Sequence, residues 1–167
     1  VAIADIDRKE IMSELGELLD SHMNQTDQGV SYFQRALEVD QHYLPAIENL
    51  ERIYGARGNH RELADVLKRK VAAQTDVSEI ATTKLRIGTL YEGALSDPQK
   101  ASAAYREVVD LDGSNLLALR GLSRVYQSLQ QWSDLVKTLE QELEVVTTEK
   151  EKIDAACEVA RGAVPQG

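Results

Sequence analysis

Four arginines, Arg52, Arg86, Arg120 and Arg124, carry the plainest chemical capacity in this chain. A guanidinium is planar, always charged, and grips a carboxylate through two parallel N–H donors. In a chain of net charge −9, such side chains point to acidic groups on a partner. The rival use is pairing with the chain's own Glu48, Glu51 or Glu92, in exposed ion pairs worth about 0–1 kcal/mol each. Reaction chemistry finds no foothold: there is no Gly-rich phosphate loop, no Gly-x-Ser-x-Gly and no His-Glu-x-x-His. His22, His42 and His60 stand far apart, so neither a metal nor a cofactor is expected. Cys157 is the only cysteine and can form no internal disulfide. It shares an apolar stripe with Ile153, Ala156, Val159 and Ala160, where a buried, inert thiol is expected. An enzyme is not expected.

The elements that hold these side chains follow from a repeat. Two stretches match at an offset of 72 residues. Gly16 matches Gly88, and Asp40 matches Asp112. Leu44, Ala46, Leu50, Arg52 and Tyr54 recur as Leu116, Ala118, Leu122, Arg124 and Tyr126. A period of this size is the mark of a stacked helical array. Apolar residues recur at three and four throughout, as amphipathic helices require. The pattern predicts about nine helices, near 6–23, 27–39, 43–56, 60–74, 78–94, 98–110, 115–129, 131–147 and 149–163. Asp97-Pro98 is a start signal, since Asp caps and Pro fits the first turn. Gly58-Asn59 and Asp112-Gly113-Ser114-Asn115 are stops followed by starts. The short joins make successive helices antiparallel hairpins.

Leu15-Gly16-x-x-Leu19, Leu50-Glu51-x-x-Tyr54, Ile87-Gly88-x-x-Tyr91 and Leu122-Ser123-x-x-Tyr126 mark the first helix of each pair. Two large residues four apart share a face, and a small residue beside them admits the partner helix. The partner helices supply Gly29-x-x-x-Phe33-x-x-Ala36 and Ala101-x-x-x-Tyr105-x-x-Val108. Tyr54, Tyr91, Tyr105 and Tyr126 are therefore expected in the core, and Trp132 as a wedge within its hairpin. On these motifs the chain resembles the tetratricopeptide repeat family, whose pattern is W-x2-L-G-x2-Y, then A-x3-F, then P. Met12, Ile47, Lys84 and Leu119 stand where the family has Trp, and Gln41 and Gly113 where it closes with Pro.

The resemblance implies an all-α fold: an α-solenoid of antiparallel helix pairs wound as a right-handed superhelix. Residues 1–167 would form one repeat domain, with repeats near 9–42, 44–76, 81–115 and 116–148 and a partial fifth at 149–163, cut from a longer protein. It also implies that the first helices line a concave groove. On that face would lie Glu17, Glu48, Asn49, Arg52, Leu85, Arg86, Thr89, Arg120 and Arg124, together with Ser13, Asp20, Thr82, Glu92 and Leu117. The groove would be acidic at the first repeat and basic at the fourth. The expected job is a protein-interaction scaffold or adaptor that takes a peptide or protein segment. The family's chaperone-binding members clamp a C-terminal carboxylate with Lys and Asn; only Asn49 and scattered arginines stand here, so that activity is not expected.

Two rivals remain. Ile3, Ile6 and Ile11 at one end, and Ile153, Cys157, Ala160 and Val164 at the other, would lie partly bare, which suits self-association through the end helices. A regulatory solenoid attached to an enzyme outside this chain is the other. The acidic balance argues against general nucleic-acid or anionic-membrane binding. No apolar run approaches the ~20 residues a membrane span needs. With no signal peptide and a single cysteine, a cytoplasmic setting is expected.

Overall fold

The computed structural model describes the backbone of residues 3–162 and the side chains of 8–150 with Lys152 and Ile153. It is all helix: α1 (Ile3–Ser21), α2 (Thr26–Val39), α3 (Leu44–Arg57), α4 (His60–Ala73), α5 (Val77–Glu92), α6 (Pro98–Leu111), α7 (Leu116–Ser128) and α8 (Trp132–Gly162). Local chemistry sets most of the bounds. The carboxylates of Asp76 and Asp97 accept the backbone N–H groups of Glu79 and Lys100 at 3.0 and 3.1 Å, and the Asn115 side chain accepts that of Ala118 at 3.1 Å. Gly58 closes α3 at φ +70°, a left-handed backbone that glycine adopts without cost.

The helices pair as α1/α2, α3/α4, α5/α6 and α7/α8, and each second helix leans on the first helix of the next pair. This is the expected stack of hairpins, an α-solenoid of the tetratricopeptide kind. The core falls into two parts. One gathers Met12, Phe33, Ile47, Leu50 and Tyr54. The other gathers Ile87, Tyr91, Tyr105, Leu122 and Tyr126. They meet on α4, where Val66 faces the first, Ala64 and Leu67 face the second, and Leu63 touches both. All four tyrosines expected in the core are buried.

Two expectations are corrected. Among the described residues there are eight helices where about nine were expected. The predicted stop near residues 147–149 is not made: the stretch Val145-Val146-Thr147-Thr148-Glu149 holds no Gly or Pro, and α8 runs straight through it for 31 residues. Trp132 is not a wedge. It opens α8 at 58% exposure, and Leu135 and Thr138 make the inward contacts instead. Ile11 and Ile153 are exposed as expected. The side chains of Ile3, Ile6, Cys157, Ala160 and Val164 lie outside the described residues.

Candidate functional site

The first helices lie side by side and are tied by ion pairs. Asp20 on α1 meets Arg52 on α3, Glu51 on α3 meets Arg86 on α5, and Glu92 on α5 meets Arg124 on α7. Each time the earlier helix gives the carboxylate and the later one the guanidinium. The carboxylates are largely covered, at 9, 13 and 24% side-chain exposure, while the guanidiniums are 57, 51 and 59% exposed. Arg120, also more than half exposed, reaches Glu142 on α8 through Nε at 2.9 Å. All four arginines are therefore held by the chain's own acids. Pairing with Glu51 and Glu92 was among the expectations; Asp20 and Glu142 were not named as partners.

The carboxylates respond as that pairing requires. The Arg52 bond holds Asp20 below the ordinary carboxylate range against partial burial. Burial pushes Glu51 upward, and its bonds to Lys70 and Arg86 together outweigh this and hold it low. Arg124 grips Glu92 twice, at 2.6 and 2.9 Å, and the Tyr105 hydroxyl donates to the same carboxylate at 2.6 Å. Glu92 is held low by Arg124 first and Tyr105 second, while burial and then Glu92 push the Tyr105 phenol upward.

The remaining sequence-selected residues divide. Asn49 donates to Glu17 at 3.0 Å across α3 and α1. Glu48 lies 3.9 Å from Lys70. Thr82 and Thr89 are exposed, with hydroxyls donated back to Ser78 and Leu85 carbonyls at 2.9 and 3.0 Å. Leu85 is half-buried against the second core. Leu117 stands bare beside Arg120 on α7. Ser13, expected on the groove face, is buried instead. The side chains of α3 and α5 leave a cleft of about 400 Å³ between them, and Glu48, Lys70, Thr82 and Arg86 are among its lining residues. The structure thus brings Glu48, Thr82 and Arg86 together, with Arg120 and Arg124 further along the stack.

A second cleft was missed by sequence reasoning. It lies between α4 and α6, floored by Val71, Ile87, Tyr91 and Ala104 and rimmed by Lys68, Lys84 and Lys100. Two of these ammoniums flank the Tyr91 ring at 5.5 and 5.4 Å. The only signal was a Lys every sixteen residues on three different helices, which no motif search picks up. Each Lys is held by a neighbour: Asp65, Glu107 and Asp97 respectively. Among the described residues no group of three or more His, Cys, Asp or Glu is placed to hold a metal ion. Among the described residues no helix is long and apolar enough to cross a membrane.

The hairpin stack, its small-against-aromatic contacts and the tied first helices define a fold class: an α-solenoid of tetratricopeptide-like helix hairpins. The tetratricopeptide repeat family profile matches residues 118–153. Among solved structures, two of MamA are similar at 17% identity, with TM-scores of 0.58 and 0.59; each match covers 89% of this chain and 84 or 78% of the other. YrrB, described as a tetratricopeptide protein with an unusual peptide-binding site, is similar at 19% identity and a TM-score of 0.55, over 86% of this chain and 70% of that one. No curated protein sequence matches the chain.

Proposed function

We propose that this chain is a protein-interaction scaffold that takes a segment of another protein along its first-helix face. The observation that carries this reading is the row of guanidiniums on α3, α5 and α7. Each is anchored by one carboxylate yet more than half exposed, and Arg52, Arg86 and Arg120 each keep N–H donors that no acid among the described residues uses. Anchoring removes much of the rotamer freedom a long side chain would lose on binding. A partner carboxylate then meets a row of aimed donors. Glu48 and Thr82 at the α3/α5 cleft, Glu17 and Asn49 toward α1, and Leu85, Thr89 and Leu117 toward α7 supply the mixed contacts that give register. The similarity to YrrB, itself described as peptide-binding, supports the same use of the fold. A scaffold of this kind needs no catalytic group.

The test is affinity capture from the source lysate with mass spectrometry, wild type beside an Arg52→Glu/Arg120→Glu/Arg124→Glu variant shown to be folded by circular dichroism. A protein retained by wild type and lost by the variant is the expected result. Equal recovery by both would remove the arginine row from the binding site.

A further inference from the structure

We infer that copies of this chain associate head to tail, the outer face of α8 on one copy receiving the outer face of α1 on the next. The template for this contact lies inside the chain. Where the two 72-residue units join, α4 receives α5: Ala64 and Leu67 are each 1% exposed, and with Val71 they share a core with Ile87 and Tyr91. Carried forward by the same offset, the α4 positions become Val136, Leu139 and Leu143 on α8. Carried back, the α5 positions become Leu15 and Leu19 on α1. The three α8 residues are 54, 47 and 68% exposed, and on α1 Ile11, Leu15 and Leu18 are 56, 39 and 52% exposed. Both sides of an apolar junction made once within the chain are present again, bare, at opposite ends.

One pair of positions favours a second copy over an unrelated protein. In the α4/α5 junction the Thr83 hydroxyl donates to the Gln74 side-chain oxygen at 3.0 Å. The equivalents are Ile11 on α1 and Val146 on α8, both exposed. The polar pair has become an apolar pair on both sides together, so the two faces suit each other and water suits neither. The rim changes in step: Lys68 lies over the Tyr91 ring, whereas Glu140 and Leu19 hold the matching places. An unrelated partner on α8 gives α1 no reason to match. Two α8 faces pressed together would leave α1 bare. Head-to-tail contact uses two different patches, so a pair of copies still leaves one bare face at each end and assemblies lengthen with concentration.

Sedimentation velocity across a micromolar concentration series tests this on the whole chain. Val136→Glu/Leu143→Glu removes the α8 face and Ile11→Glu/Leu18→Glu the α1 face; all four sites are exposed, and circular dichroism checks that helix content is kept. Wild type is expected to rise past twice the monomer mass. Each variant alone is expected to stay monomeric, and an equal mixture of the two to form a dimer, because each restores the face the other lacks. A wild type that stays monomeric, an α1 variant that still dimerises alone, or a mixture that stays monomeric would each overturn the proposal.

Discussion

The two 72-residue units stack the same helices around the same ring position and lock that ring by different means. In the first, Phe33 lies against Gly16, where an added Cβ would meet the ring at 2.8 Å. Gly29 brings the backbones together as well, since a Cβ there would meet the Gly16 carbonyl at 2.8 Å. In the second, Ala101 replaces Gly29, and the ring does more. Tyr105 lies between Gly88 and Gly121, with 2.6 Å to an added Cβ on either side. Its hydroxyl then reaches Glu92, the carboxylate held by Arg124. The first unit closes by backbone approach, the second by a ring held on both faces and pinned at its tip. What the duplication keeps is the spacing of small against large, while polarity is free to change wherever one of those side chains reaches solvent.

The largest effect comes from copying the first unit into the second. Asn49 stands where the second unit has Gly121. Gly121→Asn, and likewise Gly88→Leu, forces atoms into a ring that is 1% exposed and has nowhere to turn. Each is expected to cost about 1–3 kcal/mol as overpacking, read as a lower urea midpoint at unchanged slope. Asn49→Gly, the reverse copy, makes no clash; it gives up the exposed bond to Glu17 and adds backbone freedom, and is expected to cost only about 1 kcal/mol. A Gly121→Asn midpoint equal to wild type would dissolve the contrast between the units.

Next comes Tyr105→Phe, which gives the second unit the ring of the first. The lost bond to Glu92 is expected to cost about 1 kcal/mol near neutral pH. Its sharper signature is in acid. Glu92 is held below its unfolded value of about 4.3, so its contribution is complete above that value and is lost as pH falls through the lower, folded one. With one of its two supports gone, Glu92 is depressed less. The variant's urea midpoint should therefore fall less steeply than that of wild type between neutral pH and pH 3. Parallel curves for the two proteins would show that the hydroxyl plays no part in holding the carboxylate.

The stack was legible in the residues because its signals are local: Gly16 and Gly88 beside large neighbours, Asp97 before Pro98, Gly58 after α3. The end of α8 was not. The break expected near Thr147-Thr148 rested on the repeat period alone, and a run of helix-compatible residues overrides a period that no Gly or Pro enforces. The arginines could be picked out by type, but their acids could not. Asp20 lies 32 residues before Arg52 and Glu142 lies 22 after Arg120, on separate helices whose register only the packed structure fixes. Ser13 went astray for the same reason. A few tens of degrees of helix rotation decide whether such a position faces the groove or the core, and spacing does not resolve that.

The smallest effect tests whether the units can exchange signs. Arg120 pairs with Glu142 in the second unit, and the equivalent positions of the first hold Glu48 and Lys70, the same contact with its charges reversed. The surroundings differ. Lys70 also bonds Glu51 at 2.8 Å, and Glu51 holds Arg86, whereas the place of Glu51 is taken by Ser123 in the second unit. The first pair is thus part of a network and the second stands by itself. Arg120→Glu and Glu142→Lys are each expected to cost about 0.2–1 kcal/mol, and the double variant, which installs the first unit's polarity, to return to within about 0.5 kcal/mol of wild type. Lys70→Glu is expected to cost more than either, because it sets one new carboxylate against both Glu51 and Glu48, and the added reversal Glu48→Lys should recover only part of the loss. A double-mutant cycle by urea denaturation at low salt reads both. Full recovery at Glu48 and Lys70 would mean that the network acts as separate pairs, and that the two units differ here only in sign.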